Sequence, residues 1–143
     1  SKYGKEESWI ILATRPGAKI FFGFKDGTTM NDFVAAIEAS ENGGDAMEKL
    51  LCSIDVKAGD VIYIPAKMVH AIGSGCLLLE VQEPTDFTIQ PERWCGDYHL
   101  TYEEEYIGLD KENEEKVYIQ EYMPGKMAKR SDLKKRGIFK VKR

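Results

Sequence analysis

The stretch of this 143-residue chain with the strongest chemical content runs Gly59-Asp60-Val61-Ile62-Tyr63-Ile64-Pro65-Ala66-Lys67-Met68-Val69-His70-Ala71-Ile72-Gly73. A glycine turn feeds a short apolar strand, a proline ends it, and a histidine follows five residues beyond the proline. An imidazole fixed at the end of a rigid strand is aimed at one point, and neutral imidazole is the commonest protein ligand for transition metals. Two readings of His70 stand on these residues alone: a hydrogen-bonded core histidine flanked by Val69, Ala71 and Ile72, or a metal ligand. Downstream, Glu80 and Gln82 share a strand face with Leu78, while Leu77, Leu79 and Val81 take the other. If the first face looks into the fold, Glu80 and Gln82 contact a metal's ligands or a substrate hydroxyl; if it looks outward, they are polar surface over a leucine core.

The elements that must hold these groups are mostly strands. Trp9 to Ala13 is an apolar run opened by Lys5-Glu6-Glu7, which as a strand sets Glu7, Trp9 and Ile11 on one face. Pro16-Gly17 then turns the chain, and Ala18 to Phe24, rich in β-branched and aromatic side chains, reads as its antiparallel partner. Met30, Phe33, Val34 and Ile37 recur at i, i+3, i+4 and i+7, the signature of an amphipathic helix, with Thr29 and Asp32 as its cap. Met47, Leu50 and Leu51 suggest a second short helix. From Ser53 the chain returns to short strands (Ile54 to Val56, Val61 to Ile64, Cys76 to Gln82, Asp86 to Gln90) at intervals that point to a sandwich or barrel. Tyr102 to Leu109 is mixed in character, and Val117 to Tyr122 reads as one more strand.

Composition narrows the class further. The hydrophobic fraction of 43% and the charged fraction of 31% are those of an ordinary globular domain. No apolar run reaches the roughly 20 residues that a membrane-spanning helix needs, and no signal-peptide pattern opens the sequence. Cys52, Cys76 and Cys95 form neither a CxxC knuckle nor a disulfide framework, so a reducing cytoplasm is the expected compartment. From Lys126 to Arg143 there are nine Lys and Arg against one acid, Asp132; the preceding 125 residues carry 11 basic and 23 acidic side chains. The acidic body repels polyanions. The tail has a single aromatic residue and no nucleic-acid motif, so nucleic acid is not the expected partner and the tail reads as a solvated, partly disordered end.

Gly59, Pro65 and His70 match the second cupin motif, G-x5-P-x-G-x2-H, with Lys67 at its internal glycine. The longer segment GDVIYIPAKMVHAIGSGCLLLEVQEPTDFT resembles the core of the type I mannose-6-phosphate isomerases. Gly4-Lys5-Glu6-Glu7-Ser8-Trp9-Ile10-Ile11-Leu12 resembles the GKTE-x-WYIL block of the same family. The likeness covers residues 4 to 100 and implies a mainly β fold, the cupin jelly-roll barrel, with a short helical insertion near 29–51. A cupin domain over 1–100 and a C-terminal extension over 101–143 follow as the expected organisation.

The resemblance also implies a zinc-dependent isomerase interconverting mannose 6-phosphate and fructose 6-phosphate. It identifies Glu7 and His70 as zinc ligands; the family's other two come from a Q-x-H segment upstream of the first block, which leads us to expect a chain that begins in mid-protein and a weak metal site. Lys5 and Glu80 are the candidate proton-transfer residues, with a metal-bound hydroxide as a third. The family's catalytic arginine aligns with Gln90, which carries no fixed positive charge. Arg93, three residues on, is a candidate replacement on the sugar phosphate, and Gln82 and Lys67 are candidate substrate contacts, Lys67 either entering the site or pointing to solvent. The alternative is a cupin that binds a sugar or sugar phosphate without turning it over. An oxygenase-type cupin is disfavoured by the lack of an HxH pair. Unfinished strand edges leave homo-oligomer formation open.

Overall fold

In the computed structural model, residues 5–66, 68–85 and 88–109 are described. They divide into two compact units, the first built from 5–24 and 51–85, the second from 25–50 and 88–109.

The first unit carries six strands: β1 (Glu7–Thr14), β2 (Lys19–Phe24), β3 (Leu51–Asp55), β4 (Val61–Ile64), β5 (His70–Ile72) and β6 (Cys76–Gln82). They form two three-stranded antiparallel sheets, in the orders β4-β1-β6 and β3-β2-β5. Alternation decides which side of each strand is buried. Trp9 and Ile11 of β1 and Ile62 and Ile64 of β4 pack with Ile20 and Phe22 of β2 in one core cluster, joined by Ala18, Val56 and Met68. Both sheets thus turn their apolar faces to the same core, the arrangement of a jelly-roll sandwich. The fold is mainly β with few helices, as expected, but the described strands form separate sheets and not one closed hydrogen-bonded ring.

One sequence expectation fails at this level: β1 and β2 are not partners. Arg15-Pro16-Gly17-Ala18 is a turn, with Ala18 N–H donating to the Arg15 carbonyl at 3.1 Å and Gly17 at φ 82°, the geometry that proline followed by glycine favours. This turn carries the chain out of one sheet and into the other. Alternation reports which face a strand buries, but it says nothing about which strand lies alongside.

Gly73 holds β5 against β2. A Cβ there would meet the Lys19 carbonyl oxygen at 2.4 Å, and the Gly73 N–H donates to that same oxygen at 3.0 Å. Gly73→Ala is expected to push β5 away from β2 and cost about 1–3 kcal/mol. Urea unfolding would read the loss as a lower midpoint with an unchanged slope.

In the second unit, α1 (Met30–Ser40) follows the predicted pattern, burying Phe33, Ala36 and Ile37. Its capping box is formed: the Thr29 hydroxyl accepts from the Asp32 N–H at 3.2 Å and the Asp32 carboxylate accepts from the Thr29 N–H at 2.8 Å. The short helix α2 (Ala46–Leu50) ends where β3 begins. A two-stranded hairpin of β7 (Trp94–Cys95) and β8 (Tyr98–His99) leads to α3 (Tyr102–Tyr106), which carries its own capping box from Thr101 to Glu104. The strand expected over Asp86 to Gln90 is not formed across Thr88–Gln90; the Gln90 N–H instead donates to the Glu105 carbonyl at 3.0 Å. Residues 86 and 87, the Val117 to Tyr122 strand and the basic tail lie outside the described residues.

Candidate functional site

Glu7 and His70 arrive from different sheets of the first unit. Glu7 opens β1 on the same face as Trp9 and Ile11, and is only 5% exposed. His70 opens β5, where it pairs in register with the core residue Phe22 of β2 and therefore shares its inward face. The two groups meet: His70 Nε2 stands 3.4 Å from Glu7 Oε2. Sixty-three positions of sequence separate them, and the sandwich closes that gap because each strand faces the common core.

The surroundings fix both side chains. The chain between β4 and β5 turns with Met68 N–H donating to the Pro65 carbonyl at 3.2 Å, and Met68 itself is buried. Its carbonyl lies 2.7 Å from His70 Nδ1. A carbonyl accepts only, so Nδ1 carries a proton and donates it to Met68, and Nε2 is the nitrogen turned to Glu7. Trp9, 1% exposed, donates its indole N–H to Glu7 Oε2 at 3.2 Å and sets its ring edge-on to the imidazole, with centroids 5.3 Å apart. The Lys5 ammonium lies 3.8 Å from the other carboxylate oxygen, Glu7 Oε1. One carboxylate is therefore shared among a lysine, an indole and an imidazole.

The face of β6 is also decided. Glu80 lies opposite Trp9 in the β1–β6 register, and Gln82 lies opposite Glu7. Both belong to the inward-facing set, while Leu77, Leu79 and Val81 form the outward one. Glu80 and Gln82 are nonetheless exposed, on a strand at the edge of its sheet, whereas Leu78 of the same face packs against the core.

Gln90 and Arg93 belong to the second unit. Arg93 is ion-paired to the buried carboxylate of Glu105 and stands 3.6 Å from Glu41, whose other oxygen receives His99 at 3.1 Å. His99 in turn packs edge-on against Trp94, centroids 4.8 Å apart. Burial pushes the Glu105 carboxyl up, against the pull of Arg93. A carboxyl raised in the folded state favours that state in acid and counts against it as the pH rises through its folded pKa. Arg93→Met is accordingly expected to cost about 3 kcal/mol near neutrality, where Glu105 is left ionised and unpaired. The cost should shrink in acid, where Glu105 takes up a proton; chemical unfolding at several pH values reads this directly. Lys67 lies outside the described residues.

Imidazole Nε2 and carboxylate oxygen are both zinc donors, and the bond to Met68 occupies the other ring nitrogen. These two residues thus fit half of a four-coordinate site. Among the described residues no cluster of three or more His, Cys, Asp or Glu is arranged to hold a metal, and no helix is long and apolar enough to cross a membrane. Sequence reasoning missed Trp9 and the Met68 carbonyl as organising groups. Trp9 had a signal, a buried indole two residues from Glu7 on one face, since a buried indole N–H needs an acceptor. A backbone carbonyl has no sequence signal.

No family model matches the chain. It is 39% identical over 85 residues to mannose-6-phosphate isomerase ManA of Bacillus subtilis and 38% identical over 87 residues to mannose-6-phosphate isomerase of Streptococcus mutans. Each match covers 59% of this chain and 25% of the relative, so the chain spans about a quarter of the length of these curated relatives. The crystal structure of the mannose 6-phosphate isomerase from Bacillus subtilis is similar with a TM-score of 0.52 and 31% identity, over 62% of this chain and 26% of that one. Over the matched segment, sequence and fold agree that the chain is mannose-6-phosphate-isomerase-like and of cupin type.

Proposed function

We propose that this chain carries part of the active site of a zinc-dependent aldose–ketose isomerase acting on mannose 6-phosphate and fructose 6-phosphate. The observation that carries the reading is the convergence of Glu7 and His70 from two sheets, with His70 Nε2 turned to the Glu7 carboxylate. Glu7 and His70 would hold the zinc, which when bound supplies Lewis-acid stabilisation of charge on the sugar's C1 and C2 oxygens.

The chain's own groups account for the remaining needs of the reaction. Isomerisation moves a proton between adjacent carbons, so a base must come within roughly 3 Å of it. Lys5, beside Glu7, and Glu80, on the inward face of β6, are the groups we put forward for that transfer. Gln82, opposite Glu7, is suited to a sugar hydroxyl because its amide both donates and accepts. Buried Trp9 keeps water from one side of the Glu7–His70 pair. Lys67 remains our candidate substrate contact and Arg93 our candidate for the phosphate, with Gln90 at the position of the family's arginine.

A second reading, a module that binds the sugar phosphate without turnover, is favoured by one observation. The Arg93 guanidinium is already committed to Glu105 and Glu41, and Gln90 supplies no charge. A coupled assay for fructose 6-phosphate formed from mannose 6-phosphate, with zinc added, separates the two. Turnover that disappears in His70→Ala supports the isomerase. Sugar-phosphate binding without turnover supports the module.

A further inference from the structure

The outward face of the β4-β1-β6 sheet is apolar where a solvated sheet face would be polar. Ile10, Leu12, Val61, Leu77, Leu79 and Val81 all stand exposed there, Leu79 at 51% and Val81 at 63%. They are neighbours: Ile10 pairs with Val61 on one side and Leu79 on the other, Ser8 pairs with Val81, and Ala13 with Leu77. A continuous patch of this kind marks an interaction surface, whereas apolar residues scattered singly do not.

Charge at the two ends of the patch says what fits it. At one end Glu6 and Glu83 lie side by side, one register step beyond the Glu7–Gln82 pair, with the Glu83 N–H bonded to the Glu6 carbonyl at 3.1 Å. Both are exposed, and two like charges on adjacent strands repel. At the other end, past Leu12, stands exposed Arg15. The face therefore carries its own complement: acid, apolar centre, base along one strand direction. Roughly 14 Å of extended chain, at about 3.4 Å per residue, separates Ile10 from Glu6, and Arg15 stands at the turn just past the other end of β1.

We propose that this face is the interface of a homodimer, closed by a two-fold axis lying between the sheets and running across the strands. That operation sets β1 antiparallel over the partner's β1, apolar centre on apolar centre, and carries each Arg15 to the Glu6–Glu83 pair of the other copy. A two-fold axis along the strands would set acid on acid, so the charge pattern selects between the two isologous arrangements. The packing is that of two aligned sheets, each supplying an alternating apolar face.

Sedimentation velocity on the full 143-residue chain tests this, in low and high salt. The expected result is a dimer of twice the chain mass at micromolar concentration, weakened by salt. Leu79→Lys, at an exposed position that leaves the core untouched, is expected to weaken association by at least about 100-fold with an unchanged circular dichroism spectrum. Arg15→Glu should weaken it by about 10-fold, and adding Glu6→Lys and Glu83→Lys to that variant should restore it. A wild-type chain that stays monomeric at about 100 µM overturns the proposal, since interfaces of standard size associate well below that. A dimer indifferent to Leu79→Lys overturns it equally, by assigning the contact to another surface. Loss with Arg15→Glu that the charge reversal does not rescue rejects the antiparallel arrangement.

Discussion

A His70→Ala chain is expected to lose measurable zinc binding while keeping its fold, and with it any isomerase turnover. On the proposed reading Glu7 and His70 are the two donors among the described residues, so the affinity should be modest and each donor indispensable. Removing the imidazole leaves one carboxylate, and the fall in affinity should exceed about 100-fold, beyond what loss of an outer hydrogen bond does to a metal site. Isothermal titration with zinc, or the visible spectrum of added cobalt, measures this without any substrate. Fold is safe in this variant because the His70 side chain is one-third exposed and its strand is held by backbone pairing to β2. Glu7→Gln should behave alike for the metal, since it keeps shape and burial but removes the charge. Zinc binding that survives both substitutions would mean that other residues hold the metal, and the reading of this site would have to be abandoned.

Trp9 should give the largest change in stability. Its ring is at the centre of the core cluster and 1% exposed, so Trp9→Ala is expected to cost about 3–5 kcal/mol. That variant reports packing alone. Trp9→Phe separates packing from positioning: it retains an aromatic ring but deletes the N–H that Glu7 Oε2 receives. Zinc affinity should then fall by about 10-fold, within the range for a group that orients a ligand. Equilibrium unfolding and zinc titration on the same two variants would show whether the effects part. If Trp9→Phe binds zinc as tightly as wild type, the indole is a core residue and no more.

Much of this fold is legible before any coordinates. The alternation of Glu7, Trp9 and Ile11 fixes the buried face of β1, because a strand with one apolar face must turn it inward. The 3.6-residue recurrence of Met30, Phe33, Val34 and Ile37, with Thr29 and Asp32 ahead of it, fixes α1 and its start. Both signals are local: each depends on residues within a few positions of one another, and the chain cannot ignore them without exposing apolar area or losing a cap. Resemblance adds the expectation that Glu7 and His70 are metal donors, which periodicity alone leaves open.

What the sequence leaves open is non-local. Pro16-Gly17 announces a turn, and only the tertiary structure decides that β1 and β2 leave it for different sheets. Glu80 and Gln82 alternate with Leu77, Leu79 and Val81, and both faces of β6 contain leucine; the register with β1 is what turns the carboxylate and amide inward and leaves an apolar face outside. Arg93 reads as a free cation three residues from a missing one, yet it is held by Glu105, twelve positions on. By itself the sequence determines the chemical inventory and the periodicity of each element. Strand partners, the meeting of Glu7 with His70, and the choice of which charges are already spent depend on groups distant in sequence, brought together only when burial of the shared core offsets the entropy of ordering the chain between them.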